Sequence, residues 1–418
     1  MFKRARNGLI VGAFLAAALL LTGGDGRAGA QQACTTTASP ANAESKIGAA
    51  QPGSTICLQA GVFRGRLIVA GKDGVTIRGA GAGTIVAGGA VDGIVIVDST
   101  NVVVEDLRLF MGNPSNIYVA RSRGVVLQRL DIGAGAIGVH VDDASEATIS
   151  DSFIYAMSGD GVLSRRSSRT SVQRSWIFAN GGVGVSSVAN PGPLSLVRNI
   201  ISDNGGPGVF VGGIPPCAGL PGASLVVPLC YLANPGAFVG TAVVDMISDV
   251  VQASGSTGIV LFPGTVATMR DTFVWRNHMT GLFAWGATIA IDGADYDGNE
   301  EHAIEVRGYP DPRAPGSGYV AGSATITNAG IHDTALYPPT GTLGGGVLAQ
   351  GSPVSLTNSR IWANAGIGAS YQNGAAGSVD GDAIHDNSGA ALCLFSAGPV
   401  NVGVNTIFGN ASDQVGAC

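Results

Sequence analysis

Apolar and polar positions alternate along this chain in stretches of three to five residues, each broken by Gly, Asn or Asp. A two-residue period is the signature of strands. Past residue 30, no ten-residue stretch carries a helical stripe. Laid over one another, "EATISDSFIYAMSGDGVLS", "RTSVQRSWIFANGGVGVSS", "TMRDTFVWRNHMTGLFAW" and "SLTNSRIWANAGIGAS" share one pattern. It reads apolar-x-x-small-x-Ile/Val-x-x-Asn, then Gly-Val/Ile-x-apolar, and returns every 22–25 residues or so, within the range of solenoid repeats. A strand-only unit of this length cannot bury its own apolar face, so copies must stack. No Leu ladder is present, and propeller blades are longer, at about 40–45 residues. What remains is a coil of parallel strands, a β-helix of roughly a dozen turns, about 4.8 Å apart.

Alternation then assigns directions. Ile361 points into the coil and Trp362 out of it, in an outward column with Phe110, Tyr155, Phe178, Trp275, His332, His385 and Phe408. An outward line of aromatics is either a binding track or the seat of a covering loop or partner. Asn180, Asn204, Asn277, Asn299, Asn364, Asn387 and Asn410 share one repeat position. They are expected in left-handed turns, with their amides stacked as a ladder. The glycines of "GDGV" and "GGVGV" are read as turn glycines, because no helix follows to make a phosphate loop.

Composition supports a chain of tight turns and short buried strands. Gly numbers 65 of 418 residues and only 12% of residues are charged. Lys3, Arg4 and Arg6 precede an apolar run from Leu9 to Leu21, and Ala28-Gly29-Ala30 offers a cleavage site. The run is too short for a membrane span, so residues 1–30 read as a secretory signal. Without them the net charge moves from −6 to −9, leaving Lys46 and Lys72 as the only lysines against 17 arginines. That balance argues against nucleic acid and anionic lipid as partners, while local Arg clusters remain able to bind acidic sugars. Cysteines fall in three groups, Cys34 and Cys57, Cys217 and Cys230, Cys393 and Cys418. In an exported chain they read as disulfides, with neighbour pairing the simplest of 15 connectivities. Residues 31–70 are expected to form an N-terminal cap and the start of the helix, and 71–418 the helix itself.

The repeats, and the segment "PGSTICLQAGVFRGRLIVAGKDGVTIRGAGAGTIVAGG" at 52–89, resemble right-handed parallel β-helix proteins of the pectin-lyase-like superfamily. The resemblance covers nearly the whole chain after residue 30. It implies an all-β solenoid capped at both ends. For activity it implies a range, since the superfamily includes lyases, hydrolases, epimerases and adhesins. The Gly-His-Gly and Arg-x-Lys motifs of the polygalacturonases are missing.

Three Pro/Gly-rich stretches break the period, near 213–238, 308–322 and 335–346, and read as loops. The first two leave one corner of the coil three repeats apart, so they would wall a groove. Between them alternation turns Val260, Phe283 and Glu305 outward, with Phe262, Trp285 and Arg307 at the following corner. Rings that stack on sugars beside an Arg that holds a carboxylate suit an acidic glycan. The competing reading is a solvated Glu305–Arg307 pair under a loop. A second cluster combines His140, Asp142 and Asp143 with Arg165 and Arg166 in the next repeat and Arg121 in the one before. It is either an acid–base pair of carboxylates or an ion-pair ladder, like Asp106, Arg129, Asp151 and Arg174 elsewhere. A third comprises His332–Asp333 and His385–Asp386, two coils apart and too far to share a metal ion.

Catalytic candidates are therefore Glu305, Arg307, Asp142, Asp143 and His140. Phe283, Trp285, Trp275, Trp362, Arg165 and Arg166 are the substrate-binding candidates. No metal ligand set is assigned and no cofactor is evident, Ca²⁺ entering only with lyase-like chemistry. The expected protein is a monomer exported to the periplasm, cell surface or medium that interacts with a polysaccharide, with lyase, hydrolase or epimerase action on acidic glycans left open. The alternative is a non-catalytic adhesin or structural rod.

Overall fold

The computed structural model describes residues 33–188, 190–212, 242–310, 319–320, 322–336 and 344–416. Nearly every strand pairs in parallel with the strand one turn before and one turn after it. The strands form three ladders along a solenoid of about 14 turns. The first runs from Thr36–Ala38 to Val400–Val402, the second from Gly61–Arg64 to Thr406–Phe408, the third from Leu67–Ala70 to Ser412–Gly416. Two early turns pass through all three ladders as unbroken 18-residue strands, Val103–Ala120 and Val125–Asp142. The expected solenoid is thus present, with slightly more turns than the dozen counted from sequence.

The centre of the second ladder shows how the core is made. Ile132, Ile154, Ile177, Ile201, Val251 and Val274 follow one another in register, all fully buried. Branched aliphatic side chains stacked at rung spacing fill the bore. A short helix, Ala43–Gly48, was not foreseen. It buries Ala43 and Ile47 and packs on Leu67–Ala70, closing the N-terminal end of the bore. Six residues are too few to show a helical stripe in the sequence.

The asparagines form the expected ladder. The Nδ2 amide of Asn180 donates to Oδ1 of Asn204 at 2.9 Å, that of Asn277 to Asn299 at 2.9 Å, and that of Asn364 to Asn387 at 2.8 Å. Their backbone differs from expectation. The left-handed residue is the one before each Asn, such as Ala179, Asp203, Arg276, Ala363 and Asp386. The asparagine itself points inward, where its side chain caps buried peptide groups of the preceding turn: Asn180 Oδ1 accepts the Met157 N–H and its Nδ2 donates to the Ile154 carbonyl. A second inward file of Ser152, Ser175, Asn199 and Asp249 does the same at the corner between the first and second ladders. The glycines of "GDGV" and "GGVGV" are required by space and not by φ. A Cβ on Gly184 would lie 2.6 Å from the carbonyl oxygen of Gly208 and equally close to Ile201.

Cys34 and Cys57 form a disulfide that ties the first rung to the second. Cys393 is disulfide-bonded as well. Its expected partner Cys418, together with Cys217, Cys230 and the signal segment, lies outside the described residues. No described helix is long and apolar enough to cross a membrane.

Candidate functional site

The outward column of the third ladder runs through Tyr118, His140, Leu163, Ser186, Phe210, Val260, Phe283 and Glu305, one residue per rung. Two of the clusters expected from sequence therefore share one face. The strands Val209–Gly212 and His302–Arg307, which precede the first two period breaks, both end at the corner after this ladder. Segments 213–241 and 311–318 lie outside the described residues. Tyr309–Pro310 and Tyr319–Val320 pair antiparallel at the base of the second break. The third break follows the second ladder, at a different corner.

At the N-terminal part of this face, the rings of Tyr118 and His140 meet edge to face with centroids 5.2 Å apart. His140 Nε2 lies 3.6 Å from Oδ2 of Asp142. Asp142 is 3% exposed, and its Oδ1 accepts the Asp143 backbone N–H at 3.0 Å. Arg166 Nη1 reaches Asp142 at 3.3 Å and Asp143 at 3.1 Å. Arg121 spans from Asp143, at 3.6 Å, to a two-point bond with Asp98 at 2.7 and 3.0 Å. Asp98, Arg121, Asp143 and Arg166 thus alternate in sign up one corner, all with left-handed backbone. The corner holding Asp106, Arg129, Asp151 and Arg174 does likewise.

Sequence register set Asp142 against Arg165 and Asp143 against Arg166. The second pair is present, but the ion partner of Asp142 is also Arg166, whose position past the strand end lets it reach both carboxylates. Among the described residues Arg165 makes no ion pair, and it stays half-buried beside His140. Burial pushes the pKa of His140 down; Asp142 opposes this, and Arg165 and Arg166 add to it. Burial pushes the Tyr118 phenol up, helped by Asp142 and Asp143. A neutral imidazole therefore faces a protonated phenol. Tyr118 was not singled out from sequence, although it sits at His140's position in the preceding repeat.

At the C-terminal part, Phe210, Val260, Phe262, Phe283 and Trp285 form an apolar cluster outside the bore. Phe262 packs edge-on against Phe210 at 5.1 Å and Trp285 at 5.6 Å. The Trp285 indole N–H donates to the Gly308 carbonyl at 3.1 Å. Glu305 points outward as expected, yet it is only 2% exposed. It pairs with Arg307 and accepts the Thr280 hydroxyl at 3.3 Å. Burial holds its carboxyl above the usual range, against the pull of Arg307. The Arg307 guanidinium lies 5.9 Å over the Phe283 ring. Phe283 and Trp285 are engaged with their neighbours here and are not open platforms.

The outward column of the second ladder contains Trp362 and Trp275 where alternation put them. His332, Trp362, His385 and Phe408 stack ring on ring, at 4.0, 6.2 and 4.7 Å and within 15° of parallel. Their faces cover one another, and Arg360 lies 4.8 Å over Trp362. Trp275 meets Phe273 edge-on at 5.5 Å. The repeated aromatic thus ties successive rungs together. His385 Nδ1 pairs with Asp386 at 2.8 Å. His332 has more partners than the sequence indicated: Asp333, Asp295 and Asp297. Burial works against its protonation, but the hydrogen bonds to Asp295 and Asp333 outweigh it and raise its pKa to about 8.

The sequence matches the family model described as a right-handed β-helix region over residues 65–213 and 240–417. The chain belongs to this right-handed β-helix family. Among solved structures it is similar to the A-module of the mannuronan C-5 epimerase AlgE6 of Azotobacter vinelandii. That likeness has a TM-score of 0.61 at 16% identity, over 90% of this chain and 96% of that one. The A-module of AlgE4 from the same organism gives 0.55 at 15% identity, over 90% and 96%. At these identities the likeness establishes the fold. No curated protein matches the sequence.

Proposed function

We propose that the protein acts on an acidic polysaccharide lying along the third ladder, by moving a proton at the carbon next to a uronate carboxylate. The observation that carries this reading is the edge-to-face contact of His140 and Tyr118 at 5.2 Å, with the His140 pKa pushed down and the Tyr118 pKa pushed up by burial, beside Arg165, which makes no ion pair among the described residues. Removing a proton next to a carboxylate drives further negative charge onto that group. A guanidinium that binds it bidentately stabilises the charge. His140 accepts the proton, with Asp142 behind it to favour the imidazolium. Tyr118 returns a proton, to the opposite face of the carbon for epimerisation or to the leaving oxygen for elimination. Arg165 supplies the positive charge that Ca²⁺ would supply in a lyase-like site, while Arg166 holds Asp142 and Asp143. Arg307, farther along the same face and held by the buried Glu305, serves binding. The mannuronan C-5 epimerase modules that share the fold point the same way, and the Cys34–Cys57 disulfide supports export.

The test incubates the chain with uronic-acid and neutral polysaccharides. It reads unsaturated-product absorbance, reducing ends and solvent deuterium uptake into the polymer. Deuterium uptake or unsaturated ends on uronates alone, lost in His140→Ala, support the proposal; cleavage of neutral glycans alone, or no reaction with any glycan, overturns it. The non-catalytic reading draws on the unbroken ion-pair column from Asp98 to Arg166, which makes the same corner a structural seam. Glycan binding without chemistry would favour it.

A further inference from the structure

On the second ladder, away from the face discussed above, three metal-ligating side chains converge. One donor atom from each of Asp297, His332 and Asp333 lies within 4.8 Å of the other two. Stacking brings them together: Asp297 and His332 are in register on neighbouring rungs. Asp333 follows His332 with a left-handed φ of 53°. Its Oδ2 lies 2.8 Å from His332 Nδ1, and Asp297 Oδ1 lies 3.7 Å from the same nitrogen. The other ring nitrogen, Nε2, faces Oδ1 of Asp295 at 3.1 Å.

Both ring nitrogens face carboxylates, so the protonated imidazole donates from Nδ1 to Asp333 and from Nε2 to Asp295. An ion that displaces the Nδ1 proton leaves the Nε2 proton on Asp295 and takes the Nδ1 lone pair between the two remaining carboxylates. Metal-bound imidazoles are oriented in this way, by a carboxylate on the nitrogen that does not touch the ion. The Trp362 ring, stacked 4.0 Å from His332, fixes the imidazole plane. Charge favours a cation too, since three carboxylates stand against Arg276, which also acts on Asp297.

We infer that Asp297, His332 and Asp333 bind a first-row divalent cation of the zinc type, with Asp295 positioning the imidazole. The nitrogen donor disfavours Ca²⁺ and Mg²⁺, which take oxygen ligands. Three protein ligands from one side leave a further coordination position facing solvent. A proton competes with the ion for Nδ1, so binding releases protons and weakens in acid.

The test titrates the full chain, dialysed against chelator and then metal-free buffer, with Zn²⁺ by calorimetry near pH 7.5, in two buffers of different ionisation heat. The expected result is one ion per chain with proton release. His332→Phe, which keeps a ring on Trp362, and Asp297→Asn should each weaken binding by more than about tenfold, with circular dichroism unchanged. Should His332→Phe fail to fold, Asp333→Asn, at an exposed position, takes its place and should weaken binding likewise. Failure of the wild-type chain to bind Zn²⁺ overturns the inference. So does Zn²⁺ binding that survives Asp297→Asn and Asp333→Asn, or one-to-one binding of Ca²⁺ in preference to Zn²⁺. Polysaccharide chemistry is read separately, so neither result decides the other.

Discussion

Tyr118 and His140 stand one rung apart on the outer side of the third ladder, edge to face at 5.2 Å, and burial keeps both neutral. Two neutral groups of such different basicity make a base and an acid available together near neutral pH. They owe this to position. Each is half-buried against its neighbours, and the carboxylates of Asp142 and Asp143 oppose ionisation of the phenol.

If this pair does the chemistry, His140→Ala and Tyr118→Phe should each lower turnover on the responsive uronate polymer by about 100-fold or more. Melting curves should stay close to wild type, because neither side chain enters the bore. Unaltered turnover in both variants would remove the pair from the mechanism.

The pH profile tests the direction of the shift. His140 is depressed below the ordinary value of about 6.5, so its base form persists into mildly acidic solution and the acid limb of kcat should lie below that value. Arg165 contributes to the depression. Arg165→Leu should therefore move the acid limb upward and also raise KM.

Asn364 is expected to matter for stability. Its Oδ1 accepts the Thr334 backbone N–H and hydroxyl at 3.3 and 2.9 Å, while its Nδ2 donates to Ile331 and Asn387. Asn364→Ala takes this partner from the buried Thr334 N–H and hydroxyl and from the Ile331 carbonyl, at about 1–3 kcal/mol for each group left unsatisfied. Urea unfolding should show a loss in that range or above.

Asp249 makes stability depend on pH. Burial lifts its carboxyl to about 7, against hydrogen bonds from Asn199 and Ile247. A raised carboxyl binds its proton more tightly folded than unfolded, so its contribution is complete below about pH 4 and falls as pH rises to about 7. Asp249→Asn, which suits a file already containing Asn199, should flatten the fall. Hydrogen exchange across Val250–Gln252 at pH 5 and pH 8 would show it.

The Cys34–Cys57 bridge closes a 23-residue separation around the capping helix. Replacing both by Ser should cost about 3 kcal/mol. The loss should appear as faster exchange in the first two rungs, with the distant rungs little changed, as expected of a stack held by nearest neighbours.

Much of this was legible because a solenoid maps sequence period directly onto space. Ile361 in, Trp362 out and Asn364 on a ladder follow from alternation and one repeat length, since each rung contacts only the next. The ion-pair corners were legible for the same reason. The left-handed residue was misplaced by one position, because a turn of Ala-Asn or Asp-Asn can put either residue there. Asp297 was missed beside His332 because 35 residues separate them, and the long break hides a neighbour that the register restores. Tyr118 was missed because its repeat is weak.

By itself the sequence determined the coil of stacked parallel strands, its core files and its asparagine ladder, all of which depend on local alternation and a constant period; the right hand came from the family resemblance. Only the tertiary structure decided how the outward side chains are used. It stacked the aromatics face to face, buried Glu305 against Arg307 and Thr280, and set His140 against Tyr118 and His332 among three aspartates. Whether an outward side chain meets solvent or another side chain depends on its neighbours a rung away and on what covers the face, and a repeat pattern carries neither.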